Sequence, residues 1–592
     1  MTWEMIFVAV MIIVMFCALL FEVLRPDIIM FSVVIVFLLT GLLTTEEALK
    51  GFSNEGMLTV ALLFIVAGAV QKHGVIDRFV YKWLASGKNI KGSLLKFYIS
   101  IATSSAFLNN TPIVVTFTPL LKKWAEDNNL APSKFLIPLS YITILSGTIT
   151  LLGSSTNLVV HGLLLDLGLE GFSLFQLAVV GLPITIVGFI FLFTIGIKLL
   201  PNHKSSDNQV QVESREYLAE MTVESNFKYI DCSVREAGLR ELKGLYLIQI
   251  NRGDETISPV KSTTIIREGD RLIFTGLIST IADLEKVSGL KLETGSEFQL
   301  DDLRKSDIHL FEVVISHESS LLTKSIKQSK FRTKFDAGIL AVHRDNERIK
   351  SKIGDIILKA GDRLLLLSGS EFTEKYERCN EFYVISSLDT PSRLEENRNK
   401  GWFAVSVLIL MIVLVTTGFL TMFKAMALAT LLLMLFRVIN IEEAKKYIQF
   451  NILLLIASAF GIGTVMTKTG LVGVIADIIL SLGEPLGLIA ILFSIYILTN
   501  ILTEVITNSA VAVLMLPLGI EIANSLGVSY VGFAVIILIA ASASFVTPIG
   551  YQTNLIVYGP GAYKFKDFIK IGIPLSLLIM LITVTIVSLI WF

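Results

Sequence analysis

The sequence repeats itself across nearly its whole length. "GSSTNLVVHG" (Gly153–Gly162) returns as "GYQTNLIVYG" (Gly550–Gly559), 397 residues further on. "EEA" at Glu46 recurs at Glu442, and "KHGV" at Lys72 recurs as "KTGL" at Lys468, both displaced by 396. "NNTPIVVTFTPL" (Asn109–Leu120) aligns with "TNSAVAVLMLPL" (Thr507–Leu518), displaced by 398, and "GLP" at Gly181 answers "GIP" at Gly572. Five matches in one order mark an internal duplication. Whatever the first copy folds into, the second must fold into as well.

Composition says what each copy is. The chain has 592 residues, 53% hydrophobic and 17% charged, too long for one ordinary domain and too apolar for a soluble one. The charge is gathered in the middle: residues 201–400 hold 33 of the 51 acids and 30 of the 50 bases. Both flanks carry apolar runs of roughly the 17–25 residues that cross a bilayer. The expected fold class is a polytopic α-helical membrane protein with a soluble insert. Met1–Leu24 lacks a basic start and a small-residue cleavage site, and reads as a retained helix rather than a signal peptide. Cys17, Cys232 and Cys379 show no metal spacing and no disulfide framework. The net charge of −1 points to no partner, and no nucleic-acid partner is expected.

Lysine and arginine near membrane segments mark the cytoplasmic side. The loop 72–96 carries Lys72, Arg78, Lys82, Lys88, Lys91 and Lys96, and reads as an interfacial helix; the loop 121–134 carries Lys122, Lys123 and Lys134. Both read as internal, so the apolar segment between them is a re-entrant hairpin, about 94–120, with its tip at Asn109–Pro112. The loops 468–484 and 519–530 are nearly free of bases and read as external. The second hairpin, about 486–518 around Thr507–Ser509, therefore enters from outside. Five crossings per half produce that inversion: 3–24, 27–44, 55–71, 133–160 and 174–199, then 402–418, 421–437, 450–467, 531–557 and 571–591. The membrane repeats are 1–200 and 400–592, inverted with respect to each other, with the insert inside and both chain ends outside.

Inverted repeats are common in secondary transporters, whose sites lie where the repeats meet. Irregular backbone at membrane depth is tolerated only where protein or a cavity satisfies it. Each Thr-Asn turn is thus expected to interrupt a helix, facing the hairpin tip of its own half. The competing reading is that glycines and small residues there merely permit close helix packing. The tips offer Asn109, Asn110 and Thr111, then Thr507, Asn508 and Ser509, with Ser105 and Thr503 five residues before each central asparagine. Neutral oxygens suit a hard, weakly held cation such as Na⁺. Amide N–H groups and helix N-termini suit an oxyanion, without a costly buried Arg or Lys. Cations at both tips would offset a dianion's charge, which gives coupling a direct cause. Glu504, the one acid in the apolar part of a hairpin, is a coupling candidate. His161 and Tyr558, at equivalent motif ends, read as packing or interface residues.

Residues 213–383 repeat at a period of 92: "IQINRGDETI" (Ile248) matches "LAVHRDNERI" (Leu340), and "EGDRLIFTG" (Glu268) matches "AGDRLLLLSG" (Ala360). Alternating apolar runs ending at Gly-Asp turns predict two β-rich α/β modules, 208–295 and 296–388. Neither G-x-G-x-x-G nor a P-loop is present. Thr390–Trp402 reads as a polar connector back to the membrane. Arg252 and Arg344, at equivalent positions, are candidates for an anionic regulatory ligand; the alternative is that both are solvated turn residues.

The paired hairpins and the "STNLVV" and "TPIGYQTNLIVYGPG" turns resemble the divalent anion/sodium symporter (DASS) superfamily. The middle modules resemble paired TrkA-C (RCK C-terminal) domains, which occur in its sulfate-permease-like branch. The resemblance implies a homodimer working by an elevator motion, with a small anion between the tips and Na⁺ at each. It carries Ser105, Asn110 and Gly153 to a first sodium site, and Thr503, Asn508 and Gly550 to a second. The tip residues and the turn residues Thr156, Asn157, Thr553 and Asn554 are the substrate candidates. The family's tip motif is Ser-Asn-Thr; here only the central asparagine is kept in both copies, which fits sulfate at least as well as a dicarboxylate. TrkA-C domains dimerise and in some proteins bind small ligands such as nucleotides, so the insert is expected to regulate transport. The expected function is Na⁺-coupled uptake of a divalent oxyanion such as sulfate across the plasma membrane. The alternatives are a Na⁺- or H⁺-coupled di- or tricarboxylate carrier and, in another class, an RCK-gated channel or ligand sensor, although no selectivity-filter sequence occurs. Without a nucleophile–base pair or metal cluster, no enzyme is expected.

Overall fold

The computed structural model describes residues 2–20, 24–53, 55–73, 90–203, 218–239, 245–253, 255–257, 260, 263–276, 288–292, 308–316, 319–344, 347–349, 353–369, 371–376, 379, 381–387, 398–483 and 487–592. The predicted interfacial helix and the connector to the second repeat lie largely outside them. The chain divides into two compact units: Met1–Asn202, Leu394–Val557 and Lys564–Phe592 form one, His203–Arg393 with Tyr558–Tyr563 the other.

In the first unit, the first half runs α1 (Trp3–Leu20), α2 (Pro26–Leu39), α3 (Thr45–Lys50), α4 (Glu55–Lys72), α5 (Ile90–Ser105), α6 (Asn110–Asp127), α7 (Leu136–Ser146), α8 (Ser155–Asp166) and α9 (Ala178–Phe191). The second half runs α10 (Arg398–Thr416), α11 (Met422–Leu435), α12 (Ile441–Tyr447), α13 (Phe450–Lys468), α14 (Leu471–Gly483), α15 (Leu488–Thr503), α16 (Asn508–Leu526), α17 (Tyr530–Ser542), α18 (Gln552–Tyr558) and α19 (Phe565–Ile590). Among the described residues, six helices are long and apolar enough to cross a membrane. Two expected crossings, 133–160 and 531–557, are instead split into α7 with α8 and α17 with α18. The Thr-Asn turns sit at those breaks, so each piece alone is too short to span. Every residue of α7 is buried, and its Ser140, Tyr141, Thr143 and Ser146 hydroxyls all have hydrogen-bond partners.

Two short helices reveal how the halves are related. Thr44 with Glu47 and Asn440 with Glu443 form equivalent capping boxes on α3 and α12. Lys72 then pairs with Glu443 at 2.7 Å, and Lys468 pairs with Glu47. Each half's lysine takes the other half's glutamate. Such reciprocity is what a two-fold relation between the repeats produces. The halves also interdigitate: α4 lies against α10 and α11, α13 against α2, and α16 against α8.

Among the described residues, the second unit holds two antiparallel five-stranded sheets. The strands are β1 (Leu218–Val223), β2 (Leu245–Arg252), β3 (Glu255–Ile257), β4 (Arg271–Gly276) and β5 (Leu290–Leu292), then β6 (Ile308–Ile315), β7 (Gly338–Arg344), β8 (Glu347–Arg348), β9 (Arg363–Gly369) and β10 (Phe382–Ser387). The sheet orders, β3-β2-β4-β1-β5 and β10-β6-β9-β7-β8, are one topology read from opposite edges. Isolated bridges Ser233–Ile265 and Ser325–Ile357 repeat the 92-residue offset. Each sheet covers its own apolar core, around Met221, Leu272 and Phe274 in one and Phe311, Phe331 and Leu364 in the other. Hence the period-2 apolar pattern of the sequence.

Candidate transport site

At the first tip, α5 ends at Ser105 and α6 begins at Asn110, leaving 106–109 as the turn. Both side chains are buried. Ser105 Oγ donates to the Thr143 carbonyl at 2.8 Å. The Asn110 amide nitrogen faces the carbonyls of Thr143 at 3.2 Å and Gly153 at 3.1 Å, with Ser105 Oγ at 2.7 Å, while its oxygen accepts from the Tyr551 hydroxyl at 2.7 Å. Three oxygens thus converge on a donor carrying partial positive charge. A small cation would satisfy the same set, with the amide turned to present its oxygen. Gly153 permits this crowding: a Cβ there would stand 2.5 Å from the Gly147 carbonyl oxygen and 2.8 Å from that of Ser105.

The second tip has the same plan. Thr503 Oγ1 donates to the Ala541 carbonyl at 2.7 Å and lies 3.4 Å from Asn508 Oδ1. Thr507 Oγ1 is buried and has no hydrogen-bond partner among the described residues. A Cβ on Gly550 would overlap Ser544 Oγ and stand 2.8 Å from the Thr503 carbonyl oxygen. Each set of candidate cation residues is therefore gathered in space: Ser105, Asn110 and Gly153 in one half, Thr503, Asn508 and Gly550 in the other.

The turn asparagines sit differently. Asn157 Nδ2 donates to the Gly147 and Thr150 carbonyls at 2.9 and 2.8 Å, and Asn554 Nδ2 to those of Ser544 and Thr547 at 2.9 and 3.2 Å. Both are fully buried and brace the helix breaks, satisfying carbonyls that an interrupted helix leaves open. Thr156 and Thr553 are buried beside them. Ser140 Oγ of the first half lies 2.8 Å from Thr553 Oγ1 and 2.7 Å from Asn554 Oδ1.

The second turn reaches the first tip, rather than only its own. Besides Tyr551 on Asn110, Thr111 Oγ1 donates to Gln552 Oε1 at 2.8 Å. Tyr551 and Gln552 were not among the sequence candidates. The signal was available: they are where "GYQTN" departs from "GSSTN". Glu504 accepts the amides of Phe545 and Val546 at 2.9 Å and of Thr547 at 2.8 Å. His161 lies against Gly171, and Tyr558 is buried. In the insert, Arg252 grips Asp270 with two bonds of 2.8 Å and the Ile265 carbonyl at 2.6 Å. Arg344 repeats this on Asp362, at 2.7 Å twice, and on Ile357 at 2.8 Å. The Asp270 carboxylate holds the Arg252 guanidinium above its ordinary pKa. Both arginines act as clamps on the Gly-Asp turns.

The model of the citrate transporter family (CitMHS) matches residues 11–536. The chain belongs to this family. A Chlamydomonas reinhardtii protein, whose name proposes a regulator of the sulfur deprivation response, is 32% identical over 95% of this chain and 98% of its own. An uncharacterized transporter of Synechocystis sp. is 31% identical over 94% and 92%. Sodium/sulfate cotransporter 1 of Chlamydomonas reinhardtii is 22% identical over 94% and 86%. A solved structure described as the GsuK RCK domain overlaps 28% of this chain and 64% of its own, with 14% identity and a TM-score of 0.15. This citrate transporter family member is a DASS-like membrane transporter and not an enzyme, and the channel reading gives way with it.

Proposed function

We propose that the chain is a Na⁺-coupled symporter importing a small divalent oxyanion, sulfate first, by an elevator motion. The observation that carries this is the doubled tip: the same hydroxyl, central asparagine and close-approach glycine gathered around carbonyl oxygens in each half. Neutral oxygens in pairs suit Na⁺. Two bound cations then balance a dianion held by Asn109, Thr111, Ser509 and the helix N-termini at Asn110 and Asn508. Relatives bearing the name sodium/sulfate cotransporter favour both ion and substrate. Uptake of labelled sulfate and succinate into proteoliposomes, with and without a Na⁺ gradient, tests it. Sulfate accumulation that needs Na⁺ is the expected result, and equal uptake in K⁺ removes the coupling.

The second reading, a Na⁺- or H⁺-coupled di- or tricarboxylate carrier, has the family description in its favour. Against its proton variant, both Glu504 oxygens already accept backbone amides. The protein works in the plasma membrane as a homodimer, with insert 201–400 cytoplasmic and both ends external. The insert regulates rather than transports, because the membrane repeats are complete without it; a small ligand such as a nucleotide would act by distinguishing transport states. Replacing 208–388 with a flexible linker should leave uptake with an altered rate, and total loss in a folded dimer contradicts regulation.

A further inference from the structure

The two helix breaks are held open by different means. In the first half the amides of Thr148 and Ile149 stay within a helical turn, bonding the Leu145 and Ser146 carbonyls at 3.2 and 3.1 Å. Their counterparts, Phe545 and Val546, together with Thr547, bond the Glu504 carboxylate instead. One turn earlier on α15, Asn500 Nδ2 donates to the Ala540 and Ala543 carbonyls at 3.2 and 2.8 Å, and its oxygen accepts from Ser576 at 2.9 Å. At the 398-residue offset that relates the tips, Asn500 and Glu504 replace Ala102 and Ala106. Glu504 takes three donors of the unwound segment and Asn500 two of its acceptors. The bonds that a continuous helix would make internally are supplied from α15.

We infer that Asn500 and Glu504 are positioning residues that set the affinity of the second-half cation site. This rests on the proposal that Thr503, Asn508 and Gly550 hold Na⁺. The connection is short. Thr547 N donates to Glu504 Oε2, Thr547 Oγ1 donates to the Glu504 carbonyl at 2.9 Å, and the Gly550 amide donates to Thr547 Oγ1 at 3.0 Å. Asn500 holds Ala543, two residues past Ala541, whose carbonyl takes the Thr503 hydroxyl. Groups behind a metal's own ligands fix where those ligands point, and losing them weakens binding without removing a ligand. Glu504→Gln exchanges one acceptor oxygen for a donor facing an amide. Asn500→Ala frees two carbonyls.

The test is uptake by the full chain in proteoliposomes, titrating Na⁺ at saturating sulfate and sulfate at saturating Na⁺. Each variant is expected to raise the half-saturating Na⁺ concentration by about tenfold. The half-saturating sulfate concentration and the maximal rate at saturating Na⁺ should move by less than about threefold, and Glu504→Asp should recover part of the Na⁺ affinity. An unchanged Na⁺ dependence in folded variants overturns the positioning role alone. A wild-type protein indifferent to Na⁺ overturns the cation reading with it. If Glu504→Gln does not fold, Asn500→Ala decides; failure of both to fold at saturating Na⁺ makes the pair purely structural and refutes the inference.

Discussion

In the first half, Asn110 is held by Ser105 and two carbonyls, and Tyr551 and Gln552 of the other half reach in to touch the tip. In the second half, Asn500 and Glu504 of its own hairpin hold the broken segment, joined by Tyr141 of the first half on the Phe545 carbonyl. Both halves keep the hydroxyl, the central asparagine, the bracing asparagine and the crowded glycine. Duplication preserved the backbone of the site and let its supports diverge. Each half depends on the other, the first tip through Tyr551 and Gln552 and the second break through Ser140 and Tyr141, but only the second break also has a carboxylate of its own hairpin to take its amides.

The largest effects should come from what the halves share. Asn110→Ala or Asn508→Ala should reduce Na⁺-driven uptake to background while the protein still elutes as a folded species in detergent. Wild-type transport by either variant would mean that tip is structural only. Gly153→Ala and Gly550→Ala come next. A Cβ at either position meets backbone oxygen 2.8 Å or less away, closer than side chains tolerate. Uptake should be severely impaired in both, whereas Gly473→Ala, with nothing within 4 Å, should behave as wild type. Tolerance of alanine at one glycine only would show that the halves are less alike than their geometry.

Smaller effects belong to the insert, where the two modules offer the same comparison. Asp270 and Asp362 are buried under equivalent arginines. Removing one arginine leaves a buried carboxylate without its partner. Arg252→Ala and Arg344→Ala should each lower the local opening free energy of their own sheet by about 2 kcal/mol, read by hydrogen exchange on β2 and β7. Unequal losses would separate the modules. The smallest effect is confined to the second module. Burial pushes the Glu381 carboxyl up, but Lys334 and the hydroxyls of Ser319 and Ser320 outweigh it and hold the group below its ordinary value. The position equivalent to Glu381 is Gly289. A lowered folded-state pKa stabilises above the ordinary carboxylate range, and that stability is lost as pH falls through the folded value. Protection of β6 and β10 should therefore weaken on acidification below about pH 5, and Lys334→Met should flatten the change.

Much of this was legible in the sequence, for identifiable reasons. Repeated motifs located the tips, the breaks and both modules because a duplicated chain must bury and satisfy the same groups twice. The repeated glycine-bounded motif marked Gly153 and Gly550, and the family resemblance made them candidates for the cation sites. The roles of Asn157 and Asn554 were not legible: an asparagine that braces a turn and one that faces a ligand look alike in one dimension. The reciprocal Lys72–Glu443 and Lys468–Glu47 pairs were hidden because each joins one repeat to the other. Tyr551, Gln552 and Asn500 were passed over for the opposite reason. They are the positions where the copies differ, so the repeat does not mark them.

Binding of Na⁺ and anion together at the doubled tip is the core of the proposed mechanism. It is tested most directly by the melting temperature of the purified, full-length protein with and without sulfate, in NaCl and in KCl. A ligand that binds only the folded state raises apparent stability, and coupled ligands raise it more together than apart. Sulfate should raise the melting temperature in Na⁺ and leave it unchanged in K⁺, and Asn110→Ala should abolish the rise. Equal stabilisation by sulfate in both salts, or none from any small dianion in Na⁺, would contradict the claim.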